Sequence, residues 1–228
     1  MRLVPALALA ATLATPALAQ TQYADSSGGY VALNSVSFGG QDVLGLNATI
    51  GYRFSAGADV GFQLGREKYG SSESFVAGPT AGFSRRIGSG WTGRVEGSVQ
   101  YITLNGSTRI YSEEAPGGAS DVYRFRDLRE DVTVTASRPL RLAGSFSIRP
   151  TLGLFATGRQ GLTADYSGTA GRSDSYAAGV HLELPLTFKV FGRDAAWVTA
   201  RRFAVAGSNA LLGSDRRGYA GGGLRLNF

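Results

Sequence analysis

The chain ends in Tyr219-Ala-Gly-Gly-Gly-Leu-Arg-Leu-Asn-Phe228, and this stretch decides the fold class. Alternate residues of a strand point to opposite faces, so Leu224, Leu226 and Phe228 share one face. The other face carries Arg225 among glycines. Chain ends usually fray, so a strand that is patterned up to the last residue is unusual. The segment predicts a strand with one apolar face and one polar face.

The other end of the chain predicts export. Met1-Arg2 is a short basic start, and Leu3–Leu13 is an apolar run interrupted only by Pro5 and Thr12. Ala17-Leu18-Ala19 then provides the small residues that signal peptidase requires. We therefore expect residues 1–19 to be a secretory signal peptide, which is too short for a transmembrane helix, and residues 20–228 to be the mature domain.

The composition excludes several classes of site. The chain has 33 glycines, no cysteine and one histidine among 228 residues. Without cysteine there are no disulfides, thiolate metal sites or cysteine nucleophiles, and we expect neither a metal nor a cofactor. The net charge is +6 and the pI is about 9.8. Because the basic residues are scattered and the protein is exported, anionic lipid is the expected partner, not nucleic acid.

The mature chain contains ten segments of alternating polarity separated by turn residues. Their approximate bounds are 30–38, 43–54, 58–68, 75–87, 92–111, 121–138, 145–158, 176–191, 195–206 and 219–228. Residues 69–74 and 159–175 look like polar loops, and residues 139–144 look like a short turn. The pair Arg201-Arg202 breaks the alternation and predicts a bulge.

These segments predict an all-β fold, a transmembrane antiparallel up-and-down β-barrel of about ten strands, with eight or twelve as alternatives. A secreted β-sandwich also has alternating strands, but it needs no aromatic residues at both strand ends. Here two aromatic girdles are expected, as at the two surfaces of a membrane. The girdle at the short turns is Tyr52, Phe54, Phe83, Trp91, Phe188, Trp197 and Phe228, and the other is Phe75, Tyr101, Tyr123, Tyr176 and Tyr219.

The chain resembles the bacterial outer-membrane β-barrels, whose closing strand typically ends in Phe after alternating apolar residues. The resemblance implies an outer-membrane location in a Gram-negative bacterium, both termini in the periplasm and long loops outside. It also implies that the barrel assembly machinery recognises the terminal strand through Tyr219, Leu224, Leu226 and Phe228. Outer-membrane lipid is the second implied partner.

The polar faces of the strands define the expected lumen. The charged side chains on these faces are Arg53, Asp59, Glu67, Arg86, Arg94, Glu96, Asp127, Arg129, Asp131, Arg149, His181, Glu183, Lys189 and Arg225. In a ten-stranded barrel such side chains fill much of the interior, and unpaired buried charges are costly. We therefore expect ion pairs that fill a structural barrel; the alternative is a narrow pore with a weak preference for anions.

His181 suggests an enzymatic alternative, because outer-membrane hydrolases use a histidine as general base near the outer rim. Glu183 shares its face and could orient the ring. No inward serine is evident beside it, and no His-x-Ser or Asp-x-His spacing is present. A lipid A or peptide hydrolase that uses His181 is therefore the second hypothesis, after a non-enzymatic barrel.

A basic rim is expected at the long-loop end. Its residues are Arg66, Lys68, Arg109, Arg124, Arg126, Arg159, Arg172, Arg216 and Arg217. Guanidinium groups bind phosphates bidentately, so this rim is predicted to contact the phosphates of lipopolysaccharide. The alternative is an ordinary solvated rim.

Loop length and polarity generate a test of the orientation. Protease added to intact cells is expected to cut within 112–120, 159–175 or 207–217, because these segments are long and polar. The turns at 55–57 and 192–194 are expected to be spared. Cleavage is mapped by mass spectrometry of the fragments, and cuts confined to the two turns would reverse the predicted orientation.

Overall fold

The computed structural model describes residues 27–38, 43–69, 72–110, 119–143, 146–165, 175–191, 193–207 and 219–228. The strands are β1 Gly28–Phe38, β2 Val43–Arg53, β3 Ala58–Tyr69, β4 Ser72–Arg86, β5 Thr92–Ile110, β6 Ala119–Ser137, β7 Leu140–Ala143, β8 Phe146–Ile148, β9 Thr151–Asp165, β10 Ser175–Val190, β11 Arg193–Gly207 and β12 Tyr219–Asn227. The expected signal peptide lies outside the described residues.

These segments form a closed antiparallel barrel of ten strands, as predicted. When β6 with β7 and β8 with β9 are each counted as one barrel strand, every barrel strand pairs with its neighbours in the chain, and β12 pairs with both β11 and β1 to close the ring. Two barrel strands are interrupted, because β6 and β7 are separated at Pro139 and β8 and β9 at Pro150. Proline has no N–H to donate to a ladder, so the pairing breaks where these two residues lie.

The outer wall of the barrel is apolar. Ile50, Phe62, Leu154 and Leu184 on four different strands are each about half exposed or more, whereas their sequence neighbours Thr49, Gln63, Phe155 and Glu183 are buried inside. This is the inverse of a water-soluble fold, and it fits a wall that contacts hydrocarbon. No helix in the described part of the chain is long and apolar enough to cross a membrane.

Aromatic side chains lie on the outside near both ends. Tyr52, Phe83, Trp91 and Trp197 are exposed towards the short turns, together with Phe54 and Phe228. Phe75, Tyr101 and Tyr176 are exposed towards the other end, which we call the loop end. The side chains of Tyr123 and Tyr219 lie outside the described set.

Three segments predicted as loops or turns contain strand. β7 lies within the predicted turn at 139–144 and pairs with β8, β3 and β4 are separated only by residues 70–71, and β9 runs on to Asp165. Lengths at the loop end therefore vary more than predicted. Beyond the membrane a strand no longer needs an apolar face, so polar residues there look like a loop in the sequence although the ladder continues.

The predicted bulge at Arg201-Arg202 is wrong. Both residues pair in register with β10 and β12, and the shift lies at Val205, which the ladder between β10 and β11 skips. Arg202 points inward and Arg201 outward, so the alternation is kept. The first strand has Tyr30 and Ala32 on its inward face.

The seam between β1 and β12 ends at Phe228. Its N–H donates to the carbonyl of Gly29 at 2.9 Å, and its ring lies where a side chain at Gly29 would have to stand. Phe228 therefore finishes the ladder that closes the barrel.

We expect Phe228→Ala to lower barrel yield in cells far more than refolding yield in detergent. The loss of burial is roughly 1.5–3 kcal/mol, too little by itself to prevent folding, whereas a lost recognition residue acts only during assembly in cells. Phe228→Tyr, which keeps the ring, is the matched control. Folded barrel is quantified by its heat-dependent mobility on gels. Equal losses in both settings would leave Phe228 with a packing role alone.

Candidate functional site

The candidate site is the lumen of the barrel, where side chains from every strand meet. The inward positions are occupied by polar and charged side chains that are almost completely buried. Since buried charges are stable only when paired, the contacts among these groups determine what the lumen can do.

Arg94 on β5 organises the end of the lumen near the short turns. Its guanidinium donates to both oxygens of Asp59 at 2.5 and 2.9 Å, to Glu96 at 2.5 and 2.9 Å, and to Ser84 at 3.0 Å. It lies against Gly82, where a Cβ would be 2.3 Å from one guanidinium nitrogen. This Arg94 cluster holds one cation between two carboxylates, a charge-assisted arrangement that fixes all the partners.

Tyr30 and Arg225 fill the lumen beside the Arg94 cluster. The guanidinium carbon of Arg225 stands 3.7 Å from the centroid of the Tyr30 ring, a cation–π contact, and its Nε donates to Asn227 at 3.1 Å. The Tyr30 ring occupies space that a Cβ at Gly51 or Gly61 would take. Glycine at these two inward positions therefore makes room for a large side chain.

Arg129 on β6 organises the second group of contacts. It donates to the amide oxygen of Gln100 at 2.5 and 2.8 Å and to Glu67 at 3.4 Å, and Gln100 donates to Gln63 at 2.8 Å. Glu67 and Gln63 belong to β3, three strands from β6 around the wall. This Arg129 cluster therefore bridges the lumen from one side to another.

Arg202 on β11 makes the third group of contacts. It forms a bidentate pair with Asp131 at 2.6 and 3.0 Å, donates to Thr133 at 2.7 Å, and stacks on Phe155 at 4.8 Å. Arg202 has an exposed fraction of 0%. Because Asp131 lies on β6, with β9 and β10 between, this Arg202 cluster also spans the lumen.

His181 belongs to the Arg202 cluster. Arg202 Nε donates to His181 Nδ1 at 3.1 Å, and Nε2 is 3.3 Å from a Glu183 oxygen. A guanidinium can only donate, so Nδ1 accepts and the ring proton lies on Nε2, facing Glu183. Both ring nitrogens are thus engaged, and the part of the chain that is described places no serine hydroxyl on His181. Within the described residues, the hydrolase hypothesis therefore has no serine beside His181.

Only three of the predicted rim residues have side chains in the described part of the structure. Arg66 is exposed at the loop end and pairs with Glu73, and Arg126 is exposed. Arg159 is wrong as a rim residue: it points into the lumen and pairs with Asp127, because it falls on the inward phase of β9. Arg172, Arg216 and Arg217 lie outside the described residues, as do the side chains of Lys68, Arg109 and Arg124.

Most of the predicted lumen charges lie inside. Those buried there are Asp59, Glu67, Arg94, Glu96, Asp127, Arg129, Asp131, Arg149, His181, Glu183 and Arg225. Arg53 is half-buried. Arg86 and Lys189 are corrections, because both are exposed at the short-turn rim and Lys189 pairs with Asp194 there. Both residues lie on the inward phase of their strands, as predicted, but they stand at the strand ends, outside the packed interior.

Sequence reasoning missed Arg202 and Tyr30, which have 0% and 2% exposure. Arg202 was hidden by its neighbour Arg201 and by the small apolar residues Ala196, Val198 and Ala200, which share its inward face. Strict alternation counted from Trp197, which points outward, would have placed Arg202 on the inward face. Among the described residues, no three His, Asp or Glu side chains converge in a way that could hold a metal ion.

The Arg202–Asp131 pair generates a stability prediction. Arg202→Met is expected to lower the free energy of unfolding by about 3–5 kcal/mol, because Asp131 is left charged and buried without its partner. Arg202→Met combined with Asp131→Leu should restore much of that loss, since both charges are then absent. Unfolding is followed in detergent against guanidinium chloride.

The exposed pair Arg66–Glu73 provides the control. Arg66→Met should cost at most about 1 kcal/mol, because solvent screens an exposed pair. Similar losses for Arg66→Met and Arg202→Met would show that the lumen pair is no more important than a surface pair.

No family model matches the chain, and no curated protein matches its sequence. Solved structures do match. The translocator domain of the autotransporter NalP from Neisseria meningitidis has a TM-score of 0.59 and 10% identity, covering 92% of this chain and 91% of that one. The β domain of the Bordetella autotransporter Brka has a TM-score of 0.51 and 13% identity, covering 89% and 99%. At these identities the likeness concerns the fold alone, and that fold is the bacterial outer-membrane β-barrel.

Proposed function

We propose that the protein is an integral outer-membrane barrel that does not conduct, with a lumen closed by paired side chains and a loop-end rim that contacts lipopolysaccharide. The observation that carries the proposal is the burial of the lumen. His181, Arg202 and Gln100 have exposed fractions of 0%, and Arg129 has 1%. A side chain beside an aqueous channel would be exposed to water, so the burial of these groups supports a lumen that is closed at their level.

The contacts that cross the lumen support closure. Arg94 reaches Asp59 across β4, Arg129 reaches Glu67 across β4 and β5, and Arg202 reaches Asp131 across β9 and β10. Each bridge joins strands that do not pair with one another. Together they tie strands that are two or three positions apart around the wall, so a conformation with an open pore would have to break buried ion pairs.

The charge balance also favours a closed lumen over an anion-selective pore. The Arg94 cluster contains one cation and two carboxylates, and the Arg202 cluster contains Asp131 and Glu183 around Arg202. A pore that selects anions needs a surplus of positive charge facing water. In both clusters the cation is already surrounded by acceptors.

The rim proposal rests on charge and position. Arg126 is exposed on the outer side of β6 towards the loop end. A planar guanidinium there is suited to the phosphates of lipopolysaccharide in the outer leaflet. The rim residues outside the described set are part of the same proposal, as is recognition of the terminal strand by the assembly machinery.

Conductance across planar bilayers tests the closed lumen. The wild-type barrel is expected to give no steady current above the bilayer baseline. The double variant Arg129→Ala and Arg202→Ala should give a steady current, because it removes two of the largest and most completely buried side chains of the lumen. Steady conduction by the wild type would refute closure, and anion preference in that current would favour the narrow pore.

The matched control removes the same charge from the rim. Arg86→Ala with Lys189→Ala also deletes two cations, but both side chains are exposed at the short-turn end. This variant should remain silent in the bilayer. A current of similar size from both double variants would mean that charge loss, and not removal of the lumen contacts, opens the barrel.

A further inference from the structure

Positive charge is concentrated at the short-turn end of the barrel. Within the described residues of this rim, Asp194 is the one side-chain carboxylate that reaches water, and it pairs with Lys189 at 3.3 Å. At the loop end, by contrast, the exposed Arg66 pairs with the exposed carboxylate of Glu73. The exposed cations at the short-turn end are Arg85, Arg86, Arg138, Arg141, Lys189 and Arg193. This end therefore presents an excess of positive charge.

Two of these cations lie on the side of the barrel that faces lipid. Arg85 stands two residues beyond Phe83, the girdle aromatic of β4, and Arg138 follows directly after the end of β6. Both are exposed, whereas Ser84 and Ser137 before them are buried on the inward face. A water-soluble partner would meet the open end of the barrel, but these two side chains project from its outer wall. Their position therefore favours a lipid as the partner.

The strand register brings Arg85 and Arg138 close together on this wall. Arg85 pairs with Gly93 on β5, and Gly93 pairs with Ala136 on β6. Adjacent strands are about 4.8 Å apart, so Arg85 and Ala136 are separated by about 10 Å, and Arg138 is two residues further on. Only apolar or small groups lie between, with Ile87 packed beside Gly93. Because arginine side chains are long and flexible, both can reach one headgroup.

Trp91 fixes the depth of this pair in the membrane. Thr92 pairs with Ser137, so the preceding Trp91 is level with Arg138 on the neighbouring strand. Arg138 Nε lies 3.7 Å from the position that a Cβ on Gly90 would take, which places it beside the turn where the wall ends. Tryptophan is enriched where the bilayer meets water. Arg138 is therefore at the level of the lipid headgroups.

Both guanidinium groups are available for a ligand. Neither Arg85 nor Arg138 has a side-chain hydrogen bond or ion pair with another described residue. A guanidinium donates two parallel hydrogen bonds to phosphate oxygens, so a phosphodiester supplies matching acceptors. Two cations side by side favour a headgroup with net negative charge over a zwitterionic one, whose ammonium group they would repel.

We infer that Arg85, Trp91 and Arg138 form a site on the outer wall that binds the phosphodiester headgroup of an anionic phospholipid. We call it the headgroup site, and it serves the leaflet at the short turns. The inference rests on the outer-membrane location in the proposed function. It depends neither on the closed lumen nor on the lipopolysaccharide contact at the loop end.

Tryptophan quenching tests the headgroup site, because the chain has two tryptophans and one belongs to the site. In a Trp197→Phe background, Trp91 is the single reporter. The folded barrel is placed in phosphatidylcholine vesicles with increasing amounts of brominated phosphatidylglycerol or brominated phosphatidylcholine, whose chains quench nearby indoles. The anionic lipid is expected to be preferred at least about tenfold, since each arginine near an anionic lipid contributes a factor of about five.

The combined substitution Arg85→Gln and Arg138→Gln should abolish this preference, so that both brominated lipids quench Trp91 equally. Both positions are exposed, and heat-dependent mobility on gels verifies that the variant is folded. Arg193→Gln is the matched control. It removes an exposed arginine at the same end of the barrel, on β11, three strands from β6 around the wall, and should leave the preference unchanged.

Two further arms separate a site from general attraction. With Trp91→Phe, the reporter is Trp197 on β11, where the preference should be smaller because Arg193 is the one exposed arginine at that end of the strand. A tenfold excess of inorganic phosphate over lipid should leave the preference at Trp91 unchanged, because free phosphate is not held at the depth of the headgroups.

The contrary results are distinct. No preference in the wild type, or an unchanged preference in the double glutamine variant, would overturn the headgroup site. Equal preference at both tryptophans, or a loss in Arg193→Gln, would replace it with diffuse attraction by the basic rim. Loss of the preference in inorganic phosphate would reassign the two arginines to free phosphate. Absence of quenching by both lipids would refute the membrane barrel itself, whereas a conducting barrel would refute the closed lumen alone.

Discussion

The pairing of buried guanidinium groups with carboxylates is the constraint on which the rest of this barrel depends. The outer wall faces hydrocarbon, so the inward faces of the strands must carry the polar residues. The three central cations are paired in different ways. Arg94 binds two carboxylates, Arg129 binds an amide and a carboxylate, and Arg202 forms a bidentate pair with one carboxylate. Removal of any of these cations would leave acceptors buried without a partner.

Small residues make this pairing possible. Arg94 lies over Gly82, Tyr30 over Gly51 and Gly61, and Arg225 is in register with Ala196. The lumen of a ten-stranded barrel is narrow, so each large side chain needs a small one beside it. The high glycine content is therefore a packing requirement of the interior as much as a property of the turns.

Alternation along the strands predicted the barrel and most of the lumen, because the period of two is imposed by backbone geometry. The assignment failed where that geometry alone does not decide. Arg159 lies on the inward phase of β9, but the sequence around it is as polar as that of a loop. Arg202 follows another arginine, and only the unbroken register shows which of the two points inward. The partner of an inward charge is set by distances across the lumen, and no spacing in the chain encodes those.

The breaks at Pro139 and Pro150 show a second limit of sequence reasoning. Without Pro139, β6 and β7 would form one continuous strand, and without Pro150, β8 and β9 would do the same. The ladder is repaired around them, since Arg138 N–H donates to the Pro150 carbonyl at 3.3 Å and Arg149 N–H to the Pro185 carbonyl at 3.0 Å. A proline next to a polar stretch predicts a turn, and only the pairing on both sides reveals an interrupted strand.

The strands differ greatly in length around the ring. β5 and β6 have 19 residues each, roughly 60 Å along the strand, while β12 has 9 residues, roughly 30 Å. An apolar band about 25 Å tall accounts for only part of the longer pair. The described strands on the β5–β6 side therefore extend beyond the apolar band as a paired wall, whereas β12 does not. An antibody or a phage that approaches through the sugar layer would meet the tall side first, so surface recognition of this protein is expected to be one-sided.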